Sequence, residues 1–164
     1  MTPFIHTRIL PAAFSLLPPE MDTRAARAML LAIGLQESRF EHRRQVGGPA
    51  CGFWQFEQGG GVKGVCTHAA TRGHLDAALC ALRYDGLVDN HAGLYAVIEH
   101  NDVVAAVCAR LLLWTVPAPL PSRADGPSGW LQYLQAWRPG KAHPTTWGGY
   151  FARAWEMVEP THQE

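Results

Sequence analysis

At 164 residues, 48% of them hydrophobic, the chain is long enough to bury one core and too short for two ordinary domains, so 1–164 is expected to form a single domain. Fourteen basic residues balance fourteen acidic ones, giving a formal net charge of zero and a pI near 7.1. No global positive field would hold such a chain on DNA or on an anionic membrane, which excludes nucleic acid as a partner on charge grounds.

The opening run Met1-Thr2-Pro3-Phe4-Ile5-His6-Thr7-Arg8 lacks the basic start and unbroken apolar stretch of a secretion signal. Synthesis in the cytoplasm without a signal peptide is the expectation. Pro11, Pro18 and Pro19 interrupt the next stretch of chain, so residues 1–20 read as an irregular lead. Asp22 or Thr23 can then cap a helix from Arg24 to about Ser38.

Within that helix Leu30, Ile33 and Glu37 fall at i, i+3 and i+7, which places the Glu37 carboxylate on an apolar stripe facing the interior or a cleft wall. A carboxyl taken out of water holds its proton to higher pH, the state a general acid needs. The competing reading pairs Glu37 with Arg39, Arg43 or Arg44.

Residues 41–61 contain Gly47-Gly48-Pro49 and Gly59-Gly60-Gly61, a composition of loops or of a short hairpin around 50–57. In Gly52-Phe53-Trp54-Gln55-Phe56-Glu57 the aromatics suit a buried strand, whereas the Gln55 amide needs hydrogen-bond partners that a sugar can supply. Ser38 reads as a hydrogen-bonding support beside Glu37. Further helices are expected at 62–70, 73–84, 91–100, 102–115, 128–136 and 145–158, with Pro117-Ala118-Pro119-Leu120-Pro121 as an extended connector. The apolar run 103–116 contains Arg110 and falls short of the roughly 20 residues of a spanning helix, so stable membrane insertion is not expected.

Cys51, Cys66, Cys80 and Cys108 form no C-x-x-C pair and read as free buried thiols. Cys66, His68, His74 and Cys80 do not follow the tight spacings of structural zinc sites, so no metal and no other cofactor is expected. Gly59-Gly60-Gly61-Val62-Lys63-Gly64 lacks the Gly-Lys-Ser/Thr ending of a phosphate loop, and no G-x-S-x-G elbow occurs.

Glu37-Ser38 at a helix end, followed fifteen residues later by Gly52-Phe53-Trp54-Gln55 after a glycine-containing turn, resembles the lysozyme-like superfamily in its lytic transglycosylase and goose-type lysozyme branch. The resemblance covers residues 30–57. It implies a mainly α, lysozyme-like domain whose short hairpin or irregular loop side lines a glycan cleft. Glu37 corresponds to the catalytic acid/base and Gln55 to the cleft-lining glutamine, with Ser38, Phe53, Trp54, Glu57 and Trp137 as substrate contacts. Family members often carry a late Tyr-Asn-Gly element; here its nearest counterpart is Trp137-Arg138-Pro139-Gly140-Lys141, without the asparagine.

The implied activity is cleavage of the β-1,4 bond between N-acetylmuramic acid and N-acetylglucosamine in peptidoglycan glycan strands, in the form of a lytic transglycosylation that leaves 1,6-anhydromuramoyl products. A hydrolytic muramidase would need a second carboxylate, for which Glu57 and Asp85 are the candidates. A glycan-binding or virion structural module on the same fold is the non-enzymatic alternative. Arg39, His42, Arg43 and Arg44 form a solvated turn or a contact for stem-peptide carboxylates. By analogy with signal-less phage enzymes, the site of action is the bacterial cell wall, reached through a holin or by injection with a virion.

Overall fold

Two helices are buried on every side over their central turns, and the other described elements cover them. The structure, a computed structural model, describes residues 1–159. In chain order its helices are α1 (Thr2–Phe4), α2 (Leu10–Phe14), α3 (Arg24–Ser38), α4 (Lys63–Thr67), α5 (Arg72–Ala81), α6 (His91–His100), α7 (Asp102–Trp114), α8 (Gly126–Trp137) and α9 (Pro144–Val158). The fold is mainly α, as the sequence predicts.

Residues 28–35 of α3 and 104–113 of α7 are buried without interruption, a pattern that places both helices in the interior. α9 lies along α3, α2 and α6 flank α7, and α8 packs on α9. One contiguous apolar cluster runs from Ile5 to Trp155. Thr23 caps α3 by accepting the Ala26 N–H at 3.0 Å. The caps of α7 and α8 are Asn101 and Asp125, each just ahead of the Asp102 and Ser128 starts that the sequence suggests.

Residues 1–20 are not the irregular lead that their prolines suggest. α1, a π-helical turn at Ile5–Ile9 and α2 follow one another directly. Pro3 and Pro11 occupy the first positions of α1 and α2, where a missing N–H costs little, and the π-turn widens the backbone just before Pro11. Ile5 and Leu10 are fully buried, so this segment is part of the core.

The expected hairpin around 50–57 is reduced to two isolated antiparallel bridges, Arg44 with Cys51 and Cys51 with Phe56. No strand occurs among the described residues. Likewise no described helix is long and apolar enough to cross a membrane. Cys51, Cys66 and Cys108 are buried free thiols, but Cys80 is exposed, because α5 is covered on one face only and Cys80 lies off the Leu75, Ala78 and Leu79 face.

Phe53 and Trp54 belong to the core and do not line a cleft. Trp54 is 0% exposed and donates its indole N–H to the Leu30 carbonyl of α3 at 2.8 Å. Phe40 meets the rings of Phe53 and Trp54 edge-on, each at 5.6 Å. Removing a buried indole that fills this junction should cost about 3–5 kcal/mol. Trp54→Ala is therefore expected to lower unfolding stability by that amount in urea titration; a loss below about 1 kcal/mol would contradict the core assignment.

Candidate active site

α3 stays buried as far as Leu35 and emerges at its last turn, where Gln36 and Glu37 are half-buried. The helix stops because Arg39 and Phe40 both take left-handed backbone angles, with φ of 55° and 56°. Neither is a glycine, so the turn depends on local bonds to hold it. Ser38 supplies them: its hydroxyl accepts the Phe40 N–H at 3.1 Å and donates to the Phe53 carbonyl at 2.7 Å. Ser38 is buried and acts as a clasp between the end of α3 and the 52–55 turn, not as a substrate contact.

That turn is closed by Cys51 and Phe56, which exchange both backbone hydrogen bonds at 2.9 and 2.7 Å. Gly52 is required there on two counts. Its φ is +72°, and a Cβ would approach Ile98 Cγ2 to 2.8 Å. Gln55, also left-handed at φ 53°, is turned outward and donates its amide to the Gly52 carbonyl at 2.9 Å.

Around Glu37 opens a cleft of about 900 Å³. Its lining includes Gln55, Glu57, Tyr133 and Trp137, together with Gly59 to Gly61 and Arg138 to Lys141. The structure thus brings together four of the seven residues singled out in the sequence, Glu37, Gln55, Glu57 and Trp137. Ser38, Phe53 and Trp54 form the wall behind them. Trp137 is fixed by donating its indole N–H to the Trp54 carbonyl at 2.8 Å.

Tyr133 is the residue that sequence reasoning missed. Its hydroxyl donates to Glu37 Oε1 at 2.7 Å across 96 positions of sequence. The available signal was its position one helical turn before Trp137, which puts both rings on one face of α8. Tyr133 is itself locked by stacking on Trp147, with centroids 5.5 Å apart and planes 11° from parallel. Burial and the neighbouring Glu37 carboxyl push its phenol up, so it remains a donor.

Desolvation pushes the Glu37 carboxyl up to about 7; the Tyr133 hydrogen bond pulls it down, and the Glu57 carboxylate adds a smaller upward push. Burial wins because one donated bond does not replace the hydration of a carboxylate. The arginines suggested as partners are engaged elsewhere. Arg43 pairs with Asp102 at 2.8 Å, Arg44 with Glu99, and Arg39 with Glu41 at 3.3 Å. Those pairings also occupy the cluster suggested for stem-peptide carboxylates.

Glu57 is the other carboxylate on the cleft wall, whereas Asp85 is not among the cleft residues. Cys66, His68, His74 and Cys80 are not gathered into a ligand set; among the described residues no group of three or more His, Cys, Asp or Glu side chains converges. What the arrangement can do is donate a proton near neutral pH from a held carboxyl to a ligand in the cleft, and take one back.

No protein-family model matches the chain, and neither does any curated protein or solved structure.

The raised Glu37 carboxyl has a consequence for stability that needs no substrate. The folded protein keeps this proton to about pH 7, while the unfolded chain releases it near 4.5, so between those values the folded state binds more protons. Stability therefore falls as pH rises through that window, by an amount on the order of 3 kcal/mol. Glu37→Gln keeps the acceptor for Tyr133 and escapes this loss. Its stability relative to wild type is expected to grow from pH 4 to pH 8 in denaturant titrations; a pH-independent difference would contradict the assigned environment.

Proposed function

We propose that the chain cleaves the β-1,4 bond between N-acetylmuramic acid and N-acetylglucosamine in peptidoglycan glycan strands, with Glu37 as general acid and then base. The observation that carries this reading is the Glu37 carboxyl, pushed up by burial to about 7 and held by the Tyr133 hydroxyl at 2.7 Å on a cleft of about 900 Å³. The Glu-Ser and Gly-Phe-Trp-Gln elements that resemble the lysozyme-like superfamily supply the substrate class.

In the proposed reaction, protonated Glu37 gives its proton to the glycosidic oxygen, the bond from that oxygen to the muramoyl anomeric carbon breaks, and N-acetylglucosamine leaves with a free 4-hydroxyl as the muramoyl ring takes on oxocarbenium character. The resulting carboxylate then removes the proton of the muramoyl 6-hydroxyl. That oxygen closes on the anomeric carbon, giving a 1,6-anhydro product with no water consumed. Gln55 and Trp137 would orient the strand, and Tyr133 keeps the carboxylate aimed through both steps. The site of action would be the bacterial cell wall, as for phage lysis enzymes or virion-borne murein enzymes.

A hydrolytic muramidase is the second reading, and the presence of Glu57 as a second carboxylate lining the cleft favours it. Hydrolysis requires a carboxylate that activates water on the opposite face of the sugar.

Turbidity of purified peptidoglycan and mass spectrometry of the released muropeptides test both readings together. Glu37→Gln should lower clearing by at least about a hundredfold, the lower end of what general acid–base catalysis contributes. Products should be one water lighter than hydrolytic ones and should persist in Glu57→Gln. Reducing-end muramic acid that disappears in Glu57→Gln would make the enzyme a muramidase; clearing that survives Glu37→Gln would remove Glu37 from the chemistry.

Tyr133→Phe removes the bond that favours ionised Glu37, so the carboxyl should hold its proton to still higher pH. The alkaline limb of the clearing rate is expected to move upward while the maximum rate falls. A downward move would contradict the role given to Tyr133.

A further inference from the structure

A second groove, of about 580 Å³, runs between the 3-10 turn Pro19–Met21, the last turn of α7 and the extended 117–120 segment. It shares no lining residue with the Glu37 cleft. Its lining is mainly apolar, with Leu113, Trp114, Val116, Pro117 and Pro119. Trp114 is 38% exposed, unusual for an indole at the end of a helix that is otherwise interior.

Arg110 also lines this groove and is 2% exposed. It interrupts the apolar helix α7, where a cation is expensive to place. Its Nε donates to the Met21 carbonyl at 2.9 Å, and its guanidinium carbon lies 4.9 Å from the centre of the Trp114 ring. Those contacts use one of the five N–H groups and the flat face. Nη1 is buried without a hydrogen-bond partner among the described residues. Asp22, the carboxylate that acts on Arg110, is held in a two-bond pair with Arg27 at 2.7 and 2.8 Å. Glu20 lines the groove as well, but is exposed and makes no ion pair with Arg110 among the described residues.

A buried guanidinium with an unused N–H edge is an incomplete polar group, and the partner that completes it with matched geometry is a carboxylate. A doubly charged phosphate would meet a single cation, an apolar wall and the Glu20 carboxylate. The rest of the groove offers an indole and proline rings, surfaces for an apolar or aromatic body. We propose that this groove is a second binding site, for an amphiphilic carboxylate whose acid group pairs with Arg110 while its apolar body lies against Trp114 and the 117–119 prolines.

Calorimetric titration of the full chain with 4-phenylbutyrate, and with its uncharged amide, tests the site directly. The carboxylate is expected to bind at least about tenfold more tightly than the amide. Arg110→Met keeps the length and apolar stem of the side chain and should abolish that difference. Ala118→Glu, a change at an exposed position on the rim, should weaken the carboxylate and leave the amide unchanged, and it reports on the site even if Arg110→Met fails to fold. Glu20→Gln should tighten the carboxylate. Equal affinity for acid and amide, or no binding of either at about 10 mM in wild type and Glu20→Gln, would overturn the proposal and leave Arg110 as a strut to the Met21 carbonyl.

Discussion

The Ser38 hydroxyl bonds in two directions at the point where α3 ends, to the Phe40 N–H and to the Phe53 carbonyl. The cleft depends on that clasp. It holds a left-handed turn that contains no glycine, and it fixes the 52–55 turn against the helix that carries Glu37. Trp54 repeats the attachment one layer deeper through its indole bond to Leu30. Because both bonds are buried, neither is exchanged readily for water, and each deletion would leave a buried polar group without a partner. Gln55 and Trp137 inherit their positions from this junction, one through the turn itself and the other through the Trp54 carbonyl.

At Glu37 two opposing effects act on one group. Burial favours the protonated acid, and the Tyr133 hydroxyl favours the carboxylate. Their imbalance sets the carboxyl near neutrality, where it can both release and accept a proton. Tyr133 can play this part because α8 carries an aromatic column, Trp130, Tyr133 and Trp137, of which Trp130 and Tyr133 pack against Trp147 of α9, itself backed by Phe151. α9 in turn lies on α3. The donor and the acceptor are thus two ends of one packed unit, and their separation does not depend on a surface loop.

Helix α3 was legible in the sequence because a long apolar run follows Thr23, which caps it; α6 and α7 combine such a run with the caps Asn90 and Asn101, and α9 was legible from its apolar run alone, since it has no side-chain cap. The N-terminal segment was not, because a proline at the first turn of a helix and a proline that breaks one look identical without knowledge of the preceding turn. The aromatics of 53–54 were legible as core or as sugar contacts, and burial decides for the core. Glu37 was picked out by a local stripe, although α3 is buried all round and the carboxyl is special for where the helix emerges. For Tyr133 the sequence offered only its place one helical turn before Trp137; the hydrogen bond to Glu37, across 96 residues, leaves no local pattern.

The chemistry proposed for this cleft requires that the Glu37 carboxyl hold its proton up to about pH 7. The most direct measurement is the titration of the Glu37 side-chain carboxyl carbon by NMR in the intact protein, assigned by its loss in Glu37→Gln. A midpoint near 7 is expected, well above the ordinary value of 4.5. A midpoint at the ordinary value would mean that the carboxyl is solvated and ionised at neutral pH, and would contradict both the burial assigned to it and its role as a proton donor.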